Sequence, residues 1–75
     1  MSENNLDLII SIVSKHTKVA KKDINIDSKS SDFYQWDSLA QVNIILDIEK
    51  QTNKEIGASK MGELTSIKLI LDHLK

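Results

Sequence analysis

The chain contains no cysteine and no proline. The absence of cysteine excludes several kinds of site. Without cysteine there can be no disulfide, no thiolate metal site and no thiol nucleophile. A length of 75 residues allows one domain with one small core and no separate catalytic domain. We therefore expect residues 1–75 to form a single domain that is stabilised by the packing of helices or strands alone.

Long apolar runs and an excess of charge of one sign are also missing. The apolar run Ile44–Leu46 is far shorter than the roughly 20 residues that span a bilayer, and residues 1–5 show no signal-peptide pattern. The formal net charge is -1, from 10 basic and 11 acidic side chains, which does not favour binding to a phosphate backbone. We expect a cytoplasmic protein without stable membrane insertion and without a nucleic-acid partner.

Apolar residues at spacings of three and four predict a first helix from Ser2 or Glu3 to His16. Its apolar stripe consists of Leu6, Ile9, Ile10 and Val13, widened by Leu8 and Ile12. This period is lost between Thr17 and Asp37, which predicts a long loop whose scattered apolar residues pack back on the core. A loop of that length in a compact domain is more often functional than idle.

A second helix is predicted to begin at Asp37 or Ser38 and to continue to about Thr52. After Gly57 there is room for one short helical turn, and Thr65 is expected to cap the last helix. The stripe of that helix consists of Ile67, Ile70, Leu71 and Leu74. The predicted fold class is all-α: a small helical bundle of three main helices plus one short helix, with a long loop between the first and second helices.

The second helix has more apolar surface than its contact with the core requires. At about 100° per residue, Leu39, Val42 and Leu46 lie on one side of it, and Ile44 and Ile48 lie on the other. In so small a bundle part of this surface should stay exposed, and an exposed apolar strip usually contacts a partner.

Ser38, at the start of this helix, has two competing interpretations. With Gln41 it matches the Ser-x-x-Gln capping box, in which each side chain satisfies a free backbone N–H group. Alternatively, a phosphodiester on its hydroxyl would place an anion at a helix N-terminus, where free N–H groups and the helix dipole favour negative charge. On spacing alone, the structural cap is the simpler interpretation.

The triplet Asp37-Ser38-Leu39 follows a long loop and opens an amphipathic helix, and it resembles the attachment motif of the acyl carrier proteins. Further matches to the family pattern follow in the same order: Val19, Asp23-Ile24, Asp27-Ser28, Val42, Glu49, Glu55-Ile56 and Thr65-Ser66-Ile67. The resemblance covers nearly the whole chain. It implies a single acyl-carrier-like domain over residues 1–75, with 4'-phosphopantetheine covalently bound to Ser38 and no enzymatic activity of its own.

The same resemblance implies the carrier's task and its partners. Such a protein would hold acyl or aminoacyl groups as thioesters and present them, as a monomer, to separate loading and transfer enzymes. Asp37 would be recognised by the phosphopantetheinyl transferase that attaches the arm. The expected partner-binding residues are Leu39, Val42, Leu46, Asp47, Glu49 and Trp36. The remaining apolar residues of the helix would turn to the core.

Two departures from the usual family pattern indicate a specialised carrier. Tyr34-Gln35 replaces a typical Leu-Gly pair, and Trp36 takes the place of a small residue; Trp36 could anchor the loop or contact a partner or the arm. The second helix is also less acidic than in typical members. Because charge complementarity chiefly sets the on-rate and the choice of partner, we expect a specialised lipid or secondary-metabolite pathway, not bulk fatty-acid synthesis.

Other functions are less well supported by the sequence. The main alternative is a non-catalytic helical interaction module in which Ser38 is only a helix cap. Residues 23–34 begin like an EF-hand loop, but they lack its turn glycine and its bidentate glutamate. The two histidines stand in different helices with no motif around them. No metal site and no catalytic residue is therefore expected.

Overall fold

The computed structural model describes residues 2–74, with side chains from Asn5 onwards. Four α-helices lie in this range: α1 (Ser2–Thr17), α2 (Ser38–Thr52), α3 (Ala58–Met61) and α4 (Ile67–Leu74). Two 3-10 turns, Lys21–Asp23 and Ser30–Asp32, interrupt the connection between α1 and α2. The predicted all-α bundle of three main helices and one short helix is confirmed.

The core is formed where α1, α2 and α4 meet. Each helix contributes buried residues at spacings of three and four: Ile9, Ile12 and Val13 from α1, Ile44, Ile45 and Ile48 from α2, and Ile67, Ile70 and Leu74 from α4. Burying one such side chain contributes about 1.5–3 kcal/mol, so these residues supply much of the driving force for folding. Other stripe residues are partly buried and pack against the edge of this core: Leu6, Leu8, Ile10 and Leu71.

The long loop between α1 and α2 packs against the bundle, as predicted. Val19, Ile24 and Trp36 are buried, whereas Ile26 is 39% exposed. Although the loop is long, three of its apolar side chains are therefore part of the core, which limits the positions it can adopt relative to the helices.

Backbone hydrogen bonds join the same loop to the segment that precedes α4. The Ser30 N–H donates to the Thr65 carbonyl at 2.7 Å, and the Ile67 N–H donates to the Ser28 carbonyl at 3.0 Å. These bonds form an isolated antiparallel bridge. They hold the second half of the loop against the start of α4, and so direct the chain towards the N-terminus of α2.

The residue that caps α4 differs from the predicted one. Thr65 was predicted to cap α4, but it is the Ser66 Oγ that accepts the Leu69 N–H, at 3.1 Å. Ser66 directly precedes the first helical residue, which is where a side-chain oxygen can reach the free N–H groups of the first turn. α2 ends at Thr52, as predicted, and is followed by Asn53, whose φ of 58° lies in the left-handed region that asparagine tolerates.

Candidate functional site

Asp37, and not Ser38, caps the N-terminus of α2. The Asp37 Oδ1 accepts the Ala40 N–H at 2.9 Å, while its backbone carbonyl accepts the Gln41 N–H at 2.9 Å. The predicted capping box of Ser38 and Gln41 is therefore wrong. Aspartate and serine are equally good caps, but only Asp37 has the extended backbone of a capping residue, with φ -92° and ψ -173°.

Ser38 is consequently left with a free hydroxyl. Its side chain is exposed and makes no hydrogen bond to any residue between 2 and 74. As the first residue of α2, Ser38 lies in the turn whose leading N–H groups have no acceptor within the helix. A phosphate ester on this hydroxyl would be placed next to those N–H groups and to the positive end of the helix dipole.

A cleft with a volume of about 530 Å³ opens beside Ser38. It lies between the start of α2, the short helix α3 and the loop segments on either side of them. The lining residues are Ser30, Trp36, Asp37, Ser38, Gln41, Val42, Ala58, Met61, Gly62 and Thr65. This volume is within the range of small-molecule sites, so a group joined to the Ser38 hydroxyl would have room beside it.

Gln41 forms a buried hydrogen-bond network at this cleft. Its Oε1 accepts the Trp36 Nε1–H at 2.6 Å, and its Nε2 donates to the carbonyls of Met61, at 2.7 Å, and Leu64, at 2.8 Å. The side chain is only 7% exposed. One glutamine thus links the loop before α2 to both sides of the turn between α3 and α4. Local spacing does not predict this network, because Met61 and Leu64 lie 20 and 23 residues from Gln41 along the chain.

Trp36 has the position of a loop anchor. It is 4% exposed and its indole N–H is satisfied by Gln41, so little of the side chain is available to a partner protein. Of its two proposed roles, the geometry favours the anchor. Contact between Trp36 and the arm stays a prediction, because the side chain lines the cleft beside Ser38.

The apolar strip predicted on α2 is present on the surface. Leu39 is 71% exposed, Val42 37% and Leu46 50%, while Ile44 and Ile48 are fully buried. The helix therefore divides its apolar residues between the core and the solvent as its periodicity predicted. We refer to Leu39, Val42 and Leu46 as the α2 strip; its contact with partner enzymes stays a prediction.

The two acidic residues expected at the partner surface make intramolecular contacts. Asp47 Oδ2 lies 3.0 Å from His16 Nε2 and 3.6 Å from Lys15 Nζ, which joins α2 to the end of α1. Burial acts to raise the pKa of Asp47, but hydrogen bonds from His16 and Gln51 and electrostatic interactions with Lys15 and His16 outweigh it and lower this pKa. Periodicity gave no indication of the His16 contact.

Glu49 holds the connection between α2 and α3. Its Oε2 accepts the Ile56 N–H at 2.7 Å and the Gly57 N–H at 3.1 Å. These hydrogen bonds from Ile56 and Gly57 stabilise the carboxylate and lower the pKa of Glu49. For Asp47 and Glu49 alike, a role in partner binding stays a prediction, and each carboxylate already has a structural role.

Comparison with known proteins agrees with this arrangement. The model of the phosphopantetheine attachment site family matches residues 7–74. The chain belongs to this family. A comparison with curated proteins finds no match.

Membership of the phosphopantetheine attachment site family establishes the cofactor and the class of function. The family carries covalent 4'-phosphopantetheine on a serine, and its members are non-catalytic carriers that interact with a transferase and with biosynthetic enzymes. Between residues 2 and 74, no helix combines the length and the apolar character needed to cross a bilayer. Among the side chains from Asn5 to Leu74, no group of three or more is suited to holding a metal ion.

Proposed function

We propose that Ser38 is the residue of this carrier that bears the phosphopantetheine arm. The observation that supports this most strongly is the division of roles at the start of α2. Asp37 supplies the helix cap, so the exposed Ser38 hydroxyl has no structural task among residues 2–74. It lies at the mouth of the cleft and next to the N–H groups that favour an anion.

In the proposed loading step, the Ser38 Oγ forms a bond to the phosphorus of coenzyme A that bears the pantetheine group. The P–O bond of the pyrophosphate breaks, adenosine bisphosphate leaves, and the serine proton passes to a base of the transferase. Asp37, exposed directly beside Ser38, is the residue that we expect this transferase to recognise. Once held by Ser38, the arm would supply a terminal thiol that can carry an acyl or aminoacyl group as a thioester.

We further propose that this domain, residues 1–75, acts as a monomeric carrier of acyl or aminoacyl groups in a specialised pathway. The α2 strip is apolar, and the acidic residues Asp47 and Glu49 of the same helix are occupied by contacts within the domain. Partner enzymes would therefore meet a weakly charged surface, which suits dedicated partners. The lack of cysteine is compatible with a reducing cytoplasm, where we place this carrier.

Loading by a phosphopantetheinyl transferase tests the attachment site. The chain is incubated with coenzyme A and the transferase, and its intact mass is measured. We expect one phosphopantetheine mass on the wild type and none on Ser38→Ala. Ser59→Ala, which alters an exposed helical serine near the cleft, should be loaded like the wild type. Equal loading of Ser38→Ala would exclude Ser38 as the site, and no loading of the wild type would favour a non-covalent interaction module.

A further inference from the structure

The cleft beside Ser38 has an exposed rim and a buried floor. Asp37, Ser38 and Val42 are exposed residues of its lining and form the rim. Trp36 and Gln41, which also line it, are only 4% and 7% exposed and so form the floor. A group that enters from Ser38 would meet the Trp36–Gln41 hydrogen bond before it could reach the core.

The floor is closed by hydrogen bonds. An alkyl chain has no polar groups that could replace them. Both amide protons of Gln41 are donated to backbone carbonyls, and its oxygen accepts the indole N–H. An alkyl chain passing between α2 and α3 would have to break these bonds and leave polar groups buried without partners. The core behind the floor contains Ile44, Ile45 and Ile48 at zero exposure, so an alkyl chain could enter it only by displacing packed side chains.

The wall of the same cleft is partly polar. Ser30 and Thr65, which are partly exposed, both line it, and neither hydroxyl is hydrogen-bonded to any residue in the range 2–74. Hydroxyls that are free and accessible can bind amide or amino groups of a ligand. The cleft therefore combines a closed polar floor with free polar groups at its side.

We propose that this cleft receives short, polar acyl or aminoacyl groups and that the Trp36–Gln41 pair excludes long alkyl chains from the core. The proposal rests on Ser38 as the attachment site, and it deepens that function by naming the class of cargo. Gln41 is then the residue that determines where the cargo lies, since it holds the floor closed. A long acyl group attached to the same arm remains outside the bundle.

The proposal is tested by loading the chain with glycyl-, acetyl- or octanoyl-phosphopantetheine from the corresponding coenzyme A thioesters. Intact mass confirms each form, and NMR spectra and Tm are then compared with those of the chain that carries the bare arm. We expect the glycyl group to shift the signals of Thr65, Ser30 and the Trp36 indole. We expect the octanoyl group to leave the Ile44 and Ile48 methyl signals unshifted and Tm unchanged.

A pair of glutamine variants on α2 tests the role of the floor. Gln41→Leu removes the polar groups of the floor, so the octanoyl form of this variant should shift the Ile44 and Ile48 methyl signals. Gln51→Leu makes the same change at an exposed position of the same helix and should behave like the wild type. If Gln41→Leu does not fold, the comparison of acyl groups on the wild-type chain is sufficient to test whether the floor is closed to a long acyl group.

The possible failures can be told apart. Absence of the phosphopantetheine mass on the wild type contradicts the attachment site, and the cargo proposal with it. If the chain is loaded, an octanoyl group that shifts the Ile44 and Ile48 methyl signals and raises Tm by about 4 °C or more contradicts the closed floor alone. A glycyl group that shifts no signal of the cleft contradicts the placement of the cargo.

Discussion

At the scale of single residues, the start of α2 separates a structural task from a chemical one. Asp37 satisfies the Ala40 N–H and fixes the first turn, while the next side chain, Ser38, has no hydrogen bond to a residue in the range 2–74. If Ser38 were the cap, modification of its hydroxyl would compete with helix stability. Because Asp37 is the cap, an arm could be attached to Ser38 without loosening the helix.

The division of roles predicts unequal effects on stability. Asp37→Ala should lower the free energy of unfolding by about 1 kcal/mol, because it removes the acceptor of the Ala40 N–H. Ser38→Ala should change it by less than about 0.5 kcal/mol, as is usual for an exposed side chain without a partner. Urea unfolding followed by circular dichroism measures both values. A loss with Ser38→Ala as large as that with Asp37→Ala would mean that the serine contributes to the cap.

The sequence was least informative about the roles of single residues. Asp37 and Ser38 are adjacent and are both good caps, so only backbone geometry distinguishes them. Gln41 satisfied a local pattern with Ser38, but its side chain reaches Met61 and Leu64 instead. A contact between residues that far apart leaves no spacing signature. Such contacts depend on how the helices pack against one another, which a local pattern does not contain.

At the scale of elements, α2 is connected differently on each of its sides. Its buried isoleucines face the core, the α2 strip faces solvent, and Asp47 joins it to the end of α1. Glu49 holds the segment that leads to α3. Two side chains of α2 thus hold α3, which lines the cleft: Glu49 binds the segment before it and Gln41 binds the carbonyl of its last residue, Met61.

The Glu49 contact predicts a dependence of stability on pH. Its pKa is lowered from the ordinary value of 4.5 by the backbone N–H groups of Ile56 and Gly57. The stabilisation is fully present above the pKa of the unfolded chain and is lost as the pH falls through the lower pKa of the folded state. Urea midpoints should therefore decrease on acidification from about pH 4.5, and Glu49→Gln should show a shallower decrease.

The control for this measurement is Glu55→Gln, which alters an exposed glutamate of the same connection. It should keep the wild-type dependence on pH. If Glu49→Gln has the same acid profile as the wild type, the contact does not contribute to stability in this range.

The α2 strip makes a separate prediction about partners. Leu46→Glu places a charge in an apolar surface, and kcat/KM for an enzyme that acylates the arm should fall by about tenfold or more. Leu69→Glu is the matched control, because Leu69 is 45% exposed on α4 and Leu46 is 50% exposed on α2. Both variants should keep the wild-type Tm. Equal kinetics for the two variants would show that enzymes do not dock on the strip.

At the scale of the whole molecule, periodicity was sufficient for the helices and their order. The isoleucine stripes recur at helical spacing and are buried where that spacing placed them, so α1, α2 and α4 could be predicted without coordinates. The path of the loop could not, because it is set by the bonds of Ser28 and Ser30 to the start of α4. The cleft beside Ser38 results from that path, and the sequence did not predict it.

The central claim is that Ser38 bears the arm, and mapping the modified residue tests it most directly. Trypsin cleaves after Lys29 and Lys50, which gives a peptide of residues 30–50 with three serines: Ser30, Ser31 and Ser38. Fragment masses of this peptide from the loaded wild-type chain identify the serine that is modified. We predict phosphopantetheine on Ser38 alone. Its presence on Ser30 or Ser31, or on a peptide from elsewhere in the chain, would contradict this account.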